Sequence, residues 1–229
     1  MTRSWHEACP ELVDQIRADL SGYPSLHLFI EPGGRAEVCG TFPVRSLDGV
    51  ERDRYQVSIE LLADYPQSLP IVRETGGRIP WSSDFHVETN GAACVLIPDD
   101  RWRSFPKGAP FRQFLEGPVH DYFLGQSLVA LGEPWPFGQW SHGKDGLLEY
   151  YRELFQTADD LTVARFVYLL SQPMVNLRCD CACGSGSKLR DCCSAKVLEL
   201  RGKIPWSVAG SSAKTMGFTV APYKGRRLR

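Results

Sequence analysis

The residues best suited to chemistry lie in one irregular stretch, residues 85–97. A histidine, His86, is followed by a glycine turn at Gly91 and then by a single cysteine, Cys94, which is backed by the apolar residues 95–97. A thiolate is a strong nucleophile, but free cysteine is also among the most buried residue types. The stretch therefore indicates either a reactive thiol or a small core residue, and the surrounding elements must decide between them.

A second group of reactive side chains lies near the C-terminal end. The chain has eight cysteines, of which three stand alone and five crowd between positions 179 and 193. Four of the five form two pairs on either side of a Gly-Ser-Gly turn: Cys181, Cys183, Cys192 and Cys193. Four thiolates that converge on one point bind zinc tetrahedrally, and such closed sites are structural. We therefore expect a structural zinc site here.

Two other interpretations of this cysteine cluster stay open. The thiols could be buried or disulfide-bonded, although neighbouring cysteines in one short loop seldom reach disulfide geometry. An iron–sulfur cluster is the other alternative, but its usual cysteine spacings differ. Within the cluster, Lys188 and Arg190 are expected to offset part of the negative charge of four thiolates.

Composition limits the class of protein. The 229 residues suffice for one large domain, or for a medium domain with a small one. The formal net charge of -1 gives no bulk electrostatic reason to expect nucleic acid or a membrane as partner. No apolar run approaches the ~20 residues that span a bilayer, and no apolar core follows the N-terminus as in a signal peptide. With its clustered cysteines the chain is expected to be cytoplasmic, and the basic residues 224–229 are expected to be solvated.

Hydrophobic periodicity predicts an α+β fold. One helix is expected first, then a meander of four antiparallel strands, then helices that cover one face of the sheet. The predicted helices and strands are helix 11–20, strands 26–30, 36–44, 55–61 and 71–72, a helical region 111–131, and helices 147–155 and 161–170. Pro118 should bend the region 111–131 or divide it into two short helices. Cys39 falls within a strand and is expected in the core.

The order of these elements resembles the ubiquitin-conjugating (UBC) fold, and several motifs agree. The strand 55–61, followed by Asp64-Tyr65-Pro66 and Leu69-Pro70, is similar to that family's third strand and its Tyr-Pro-x-x-x-Pro turn. His86, Gly91, Cys94 and Leu96 resemble its approach to the active-site cysteine, with the leucine one residue late. Trp102 and Pro106, and the linker 133–136, are similar to later family motifs. The resemblance covers residues 7–155.

The resemblance implies that Cys94 carries an acyl group as a thioester and passes it to an amine. Asp99 or Asp100 would remove or orient the amine proton, although a solvated turn explains them equally. His86 would shape the loop, or be an ordinary surface or core histidine. The family's active-site asparagine falls at Glu88, and Asn90 is close enough in sequence to replace it. This departure is typical of bacterial relatives, which commonly belong to antiviral defence operons.

The cysteine cluster resembles the SEC-C motif, a small zinc-binding tail found on the secretion motor SecA and on many bacterial proteins. The resemblance covers about the last fifty residues, and it implies zinc ligands at Cys181, Cys183, Cys192 and Cys193, with Cys179 outside the shell. It also implies a docking module without catalysis. We therefore divide the chain into a UBC-like conjugating domain (1–158), a connecting helix (159–176) and a SEC-C module with tail (177–229).

Three functions follow as hypotheses. In the first, the chain is a conjugating enzyme whose partners are a ubiquitin-like modifier, an activating enzyme and a target protein. In the second, it is a catalytically inactive UBC-like or RWD-like binding module, which the missing asparagine favours. In the third, it is an adaptor whose zinc-binding tail carries the function.

Overall fold

The computed structural model describes residues 4–31, 34–46, 48–97, 99–106, 108–137 and 143–218. The chain forms two compact units, the first from Met1–Ile97 and Ser104–Gly138, the second from Pro98–Arg103 and Gln139–Arg229. The division into a conjugating domain, a connecting helix and a zinc-binding tail stays a prediction. The basic residues 224–229 lie outside the described residues.

The first unit contains the predicted antiparallel meander. Its four strands are β1 (Leu26–Ile30), β2 (Ala36–Arg45), β3 (Glu51–Leu61) and β4 (Ile71–Glu74). They lie in the sheet in chain order, each antiparallel to the next. This arrangement needs only short connections between neighbouring strands, as the spacing of the apolar runs predicted. The α+β fold class is thus confirmed.

Helices of the first unit pack their apolar residues against the sheet. They are α1 (Trp5–Ala8), α2 (Pro10–Asp19), α4 (Phe111–Phe114) and α5 (His120–Ala130). The short helix α3 (Arg101–Ser104) precedes α4 in the chain and lies mostly in the second unit. Ile16 of α2, Phe42 of β2 and Phe123 of α5 are fully buried in one core cluster. Pro118 lies in a π-helical turn, Leu115–Val119, that joins α4 to α5. The α-helical pattern is thus interrupted at this proline, and the π-turn accommodates its missing N–H.

Cys39 departs from the expectation. It lies in β2 as predicted, but the core side of that strand is taken by Val38, and successive side chains point to opposite faces. Cys39 is only half-buried on the outer face. There, burial and the nearby Glu37 carboxylate raise the pKa of its thiol to about 11.

The second unit is helical in its described residues. Its main helices are α6 (Lys144–Phe155), α7 (Asp160–Ser171), α8 (Ser194–Lys203) and α9 (Trp206–Thr215). Helix α7 was predicted to be part of the core, and Val163, Val167 and Leu170 are indeed fully buried. It packs against α9, which occupies a segment that hydrophobic periodicity left undecided. No helix among the described residues is long and apolar enough to cross a bilayer.

Arg201 of α8 closes the C-terminal end of α7. Its guanidinium donates to the carbonyl oxygens of Leu169, Leu170 and Gln172 at 3.1, 3.1 and 2.6 Å, and to that of Pro173 at 3.0 Å. The last carbonyl groups of a helix have no partner within the helix. The positive charge also suits the negative end of the helix dipole.

We expect Arg201→Met to lower the free energy of unfolding by about 3 kcal/mol, because several part-buried carbonyl groups lose a charged donor. Methionine keeps an apolar stem of similar length, so the loss reports hydrogen bonding. Urea titration followed by circular dichroism measures the effect. Lys203→Met is the matched control, since Lys203 makes only an exposed ion pair with Glu199 and should cost about 0.5 kcal/mol or less. Equal stability of the two variants would contradict this interpretation.

Candidate functional site

Residues 86–94 form a short hairpin that carries Cys94. Its ladder has three antiparallel pairs: His86 with Cys94, Val87 with Ala93, and Glu88 with Ala92. The backbone N–H of Cys94 donates to the His86 oxygen at 2.8 Å, and that of Glu88 donates to the Ala92 oxygen at 2.8 Å. Both hydrogen bonds flank the Val87–Ala93 pair, which is the pattern of an antiparallel ladder.

The hairpin turns through Thr89, Asn90 and Gly91. The Gly91 N–H donates to the Glu88 oxygen at 2.9 Å, and the Asn90 side-chain oxygen accepts from the Ala92 N–H at 2.8 Å. Gly91 has φ +80, which favours glycine, and its missing Cβ leaves room for the Trp81 ring. A three-residue hairpin loop that ends in a left-handed glycine is a common form. Asn90 is therefore a turn residue in this structure.

The two faces of the hairpin differ. Val87 is buried and Ala93 packs against the core. Successive side chains of an extended strand point to opposite faces, which places Cys94 and Glu88 on the face opposite to Val87 and Ala93. Cys94 is half-buried there. Burial is the main cause, and the Glu88 carboxylate the second, of a raised pKa of the Cys94 thiol.

Helix α5 fixes the start of the hairpin. The Tyr122 hydroxyl and the Gln126 amide both donate to the Phe85 oxygen, at 3.2 and 2.6 Å. His86 follows in the left-handed region with φ 52, and its ring contacts the Trp135 ring at 4.5 Å between centroids. In this structure His86 therefore contributes a left-handed backbone and a tilted ring contact to the loop.

The Trp135 ring packs directly against helix α5 because residue 125 is glycine and has no side chain. A Cβ built on Gly125 would lie 2.5 Å from the Trp135 ring, closer than real Cβ atoms approach. The ring also contacts Tyr122 edge-on at 6.0 Å. Helix α5, Trp135 and His86 therefore form one packed support beneath the hairpin.

We expect Gly125→Ala to lower the free energy of unfolding by about 1–3 kcal/mol, because the new methyl group displaces Trp135. In an unobstructed helix the same change stabilises by about 1 kcal/mol, so the sign is diagnostic. Chemical denaturation measures it. Gly22→Ala is the matched control, as nothing lies within 4 Å of a Cβ there. A stabilised Gly125→Ala protein would show that Trp135 does not occupy this position.

Asp99 and Asp100 belong to the second unit. Asp99 is 3% exposed, and its carboxylate accepts from the Tyr151 and Ser212 hydroxyls at 2.5 Å each. Burial raises the pKa of this carboxyl group. Asp100 pairs with Arg103 at 2.8 Å. Asp99 is therefore built into the interior of the second unit and is not part of a solvated turn.

The four predicted metal ligands come together in the second unit. The sulfur atoms of Cys181, Cys183, Cys192 and Cys193 all lie within 4.8 Å of one another. Neighbouring sulfurs are 3.3, 3.5 and 3.6 Å apart. A zinc tetrahedron with Zn–S bonds near ~2.3 Å has edges of about 3.8 Å, whereas a disulfide needs about 2.05 Å. The cluster could hold a metal ion, and its geometry fits one better than it fits disulfides.

The backbone of this cluster makes a tight reversal. Gly184 and Gly186 have φ +77 and +78, and the Cys181 N–H donates to the Ser187 oxygen at 2.8 Å. A hydrogen bond from Ser185 is the largest cause that lowers the pKa of Cys183, to about 6. Burial raises the pKa of the Cys181 and Cys193 thiols, so within the cluster the lowered pKa favours the metal-binding thiolate form at Cys183.

The two basic residues near the cluster form exposed ion pairs. Lys188 pairs with the Asp180 carboxylate at 2.7 Å, and Arg190 pairs with that of Asp191 at 3.0 Å. That their charges also offset part of the charge of four thiolates stays a prediction. Cys179 lies outside the group of four sulfurs.

Comparisons with known proteins identify no family for this chain. No protein-family model matches it, and no curated protein matches it either. A solved structure with some similarity is the yeast vps23 UEV domain in complex with a vps27 PSDP peptide. It is 16% identical, with 46% of this chain and 74% of that chain covered, at a TM-score of 0.32. A likeness this weak identifies neither a family nor a function.

Sequence reasoning named three residues that the structure places in one hairpin: His86, Asn90 and Cys94. It missed the supporting residues Tyr122, Gln126 and Trp135, which meet the hairpin only through tertiary packing. It noted Glu88 solely as a departure from a family motif. The Asn-Gly pair at positions 90–91 was a readable signal for the turn.

Proposed function

We propose that the protein is a conjugating enzyme that accepts the C-terminal carboxyl group of a ubiquitin-like modifier on Cys94 and transfers it to an amine. One observation carries this proposal: Cys94 is a partly exposed residue at the end of a hydrogen-bonded hairpin. A thiol there is accessible to a thioester on a partner, while its backbone stays fixed. Fixed geometry is what acyl transfer between large partners requires.

The raised pKa of Cys94 suits an acyl carrier. A thiol with a higher pKa is a poorer leaving group, so its thioester persists longer against water and stray nucleophiles. The cost is a smaller thiolate fraction at neutral pH. The thiol should therefore react by exchange with a bound thioester more than with dilute electrophiles, because proximity compensates for low intrinsic reactivity.

The cysteine cluster would hold a structural zinc ion. Zinc supplies a cross-link between the two cysteine pairs, because four thiolates complete its coordination. The SEC-C resemblance makes this module a docking site for a partner. An activating enzyme and a target protein are the further partners that this function requires, and a reducing cytoplasm would keep all eight cysteines free of disulfides.

A catalytically inactive binding module is the second candidate. It is favoured by Glu88, which stands where the resembled family has an amide donor. Such a donor to the developing oxyanion is worth about 3 kcal/mol in acyl transfer, and a carboxylate cannot supply it. In this alternative the first unit would hold a partner without any covalent step.

Covalent trapping distinguishes these two functions. The protein is expressed from its genomic fragment with flanking genes, with Cys94→Lys or Cys94→Ser, and its intact mass is measured. An enzyme accumulates a stable isopeptide or oxyester adduct, which Cys94→Ala lacks. A binding module shows no adduct on any variant and retains its partner in all of them, which would refute the enzymatic function.

A further inference from the structure

The outward face of the hairpin presents a carboxylate beside the candidate nucleophile. Val87 and Ala93 pack inward, so the alternate positions Glu88, Ala92 and Cys94 are placed on the other face, whereas His86, with its left-handed backbone, turns its ring to Trp135. Glu88 lies opposite Ala92, and Cys94 is two residues beyond Ala92. Diagonal neighbours in an antiparallel ladder are about 7–8 Å apart, which long side chains span. The Glu88 carboxylate can therefore reach the space above the Cys94 sulfur.

One hydrogen bond holds this exposed carboxylate, and its donor is itself held in the turn. The Asn90 side-chain amide donates to Glu88 Oε2 at 3.4 Å, while its oxygen is engaged by the Ala92 N–H. Asn90 thus links the turn to the carboxylate. The negative charge of Glu88 is the second cause, after burial, of the raised pKa of the Cys94 thiol, in agreement with this placement.

The aspartates that follow Cys94 are engaged elsewhere. Asp99 is buried between two hydroxyls, and Asp100 pairs with Arg103. Both lie in the second unit. Glu88, in contrast, is exposed and shares a rigid nine-residue hairpin with the thiol.

We propose that Glu88 is the catalytic residue that recognises the incoming amine and accepts its proton. This inference rests on the proposed function. The acceptor class is a primary alkylamine, such as a lysine side chain, which arrives as an ammonium ion and is attracted by the carboxylate.

The step balances without any further reactant. The bound ammonium ion first gives one proton to water. The neutral amine nitrogen then bonds to the carbonyl carbon of the Cys94 thioester, and a second proton passes from that nitrogen to the Glu88 carboxylate. The carbon–sulfur bond then breaks, and its electron pair leaves on the Cys94 sulfur. The proton on Glu88 returns to that thiolate or to water, which restores both groups. No atom is oxidised or reduced.

The test uses the full chain and a defined acyl group. Cys94 is loaded by exchange with a synthetic peptide α-thioester that ends in glycine, the excess is removed, and discharge is followed by intact mass. The nucleophiles are free L-lysine, which is cationic, and hydroxylamine, which is largely neutral. The variants are Glu88→Gln and Glu88→Asp, with Asp84→Asn as the control that removes an equal charge from an exposed position on the preceding turn.

We expect Glu88→Gln to slow discharge to lysine about 100-fold, the usual contribution of a general base. Glu88→Asp should recover part of this loss. The rates at which hydroxylamine discharges wild type and the variants should agree within about twofold, since a neutral α-nucleophile has little need of the carboxylate. Asp84→Asn should match wild type with both nucleophiles.

Two outcomes overturn the inference, and they differ. If Cys94 loads but Glu88→Gln discharges to lysine like wild type, Glu88 has no catalytic role while Cys94 remains an acyl acceptor. If no variant forms an adduct on Cys94, the proposed function itself fails and the role of Glu88 falls with it.

Discussion

Removing zinc should unfold the cysteine module of the second unit. Four thiolates around one ion contribute about 10 kcal/mol or more of apparent folding free energy at neutral pH. Without the ion, the sulfurs of Cys181, Cys183, Cys192 and Cys193 would repel one another as they ionise, and the reversal at residues 184–186 would lose its anchor. We expect a single zinc ion per purified chain, and a lower unfolding temperature after treatment with a strong chelator.

Cys192→Ser gives the same test by mutation. It should lose bound zinc, which elemental analysis measures, and its remaining cluster thiols should react rapidly with a thiol reagent. Cys179→Ser is the matched control, because Cys179 lies next to the cluster but outside the four converging sulfurs. It should keep both zinc and stability. The structural metal site would be contradicted by a wild-type chain that binds no zinc and whose unfolding temperature is unchanged by a chelator.

Replacing Cys94 should abolish acyl loading while the fold survives. Alanine removes the only thiol on the outward face of the described hairpin, so exchange with a glycyl peptide thioester should fall at least about 100-fold, to background. Because Cys94 is half-exposed, the free energy of unfolding should change by about 1 kcal/mol or less. Intact mass and urea titration measure the two effects.

Cys9→Ser is the control for this experiment. Cys9 is a more exposed thiol of the same unit, so mere accessibility would favour it over Cys94. Cys9→Ser should load as well as wild type. If the extent of acylation rises with the solvent exposure of each cysteine, with Cys9 as the main site, the assignment of Cys94 is wrong.

Hydrophobic periodicity predicts many of the helices and strands of the fold. Strand β1 has the predicted bounds, and helices α2, α6 and α7 differ from the prediction by few residues, because their apolar faces repeat at the helical period. Strand β3 begins at Glu51, four residues before the predicted start. Residues 51–54 are all charged, so they carry no apolar alternation, and their pairing with β2 defines them as strand.

Features fixed by tertiary contacts could not be predicted. Asp99 and Ser212 are hydrogen-bonded although they are 113 positions apart in the sequence. A pattern within a few residues cannot predict such a long-range contact. The orientation of Cys39 follows from register, since a one-residue shift exchanges the two faces of a strand. The metal ligands were predictable because all four lie within thirteen residues with glycines between the pairs.

The central claim is that Cys94, and no more exposed thiol, accepts an acyl group. The wild-type chain with all eight thiols present is treated with a peptide α-thioester ending in glycine, digested, and the acylated cysteine is located by tandem mass spectrometry. We predict a hydroxylamine-labile acyl group on Cys94. An acyl group found instead on Cys9, or spread over the cysteines in order of their exposure, would contradict the account.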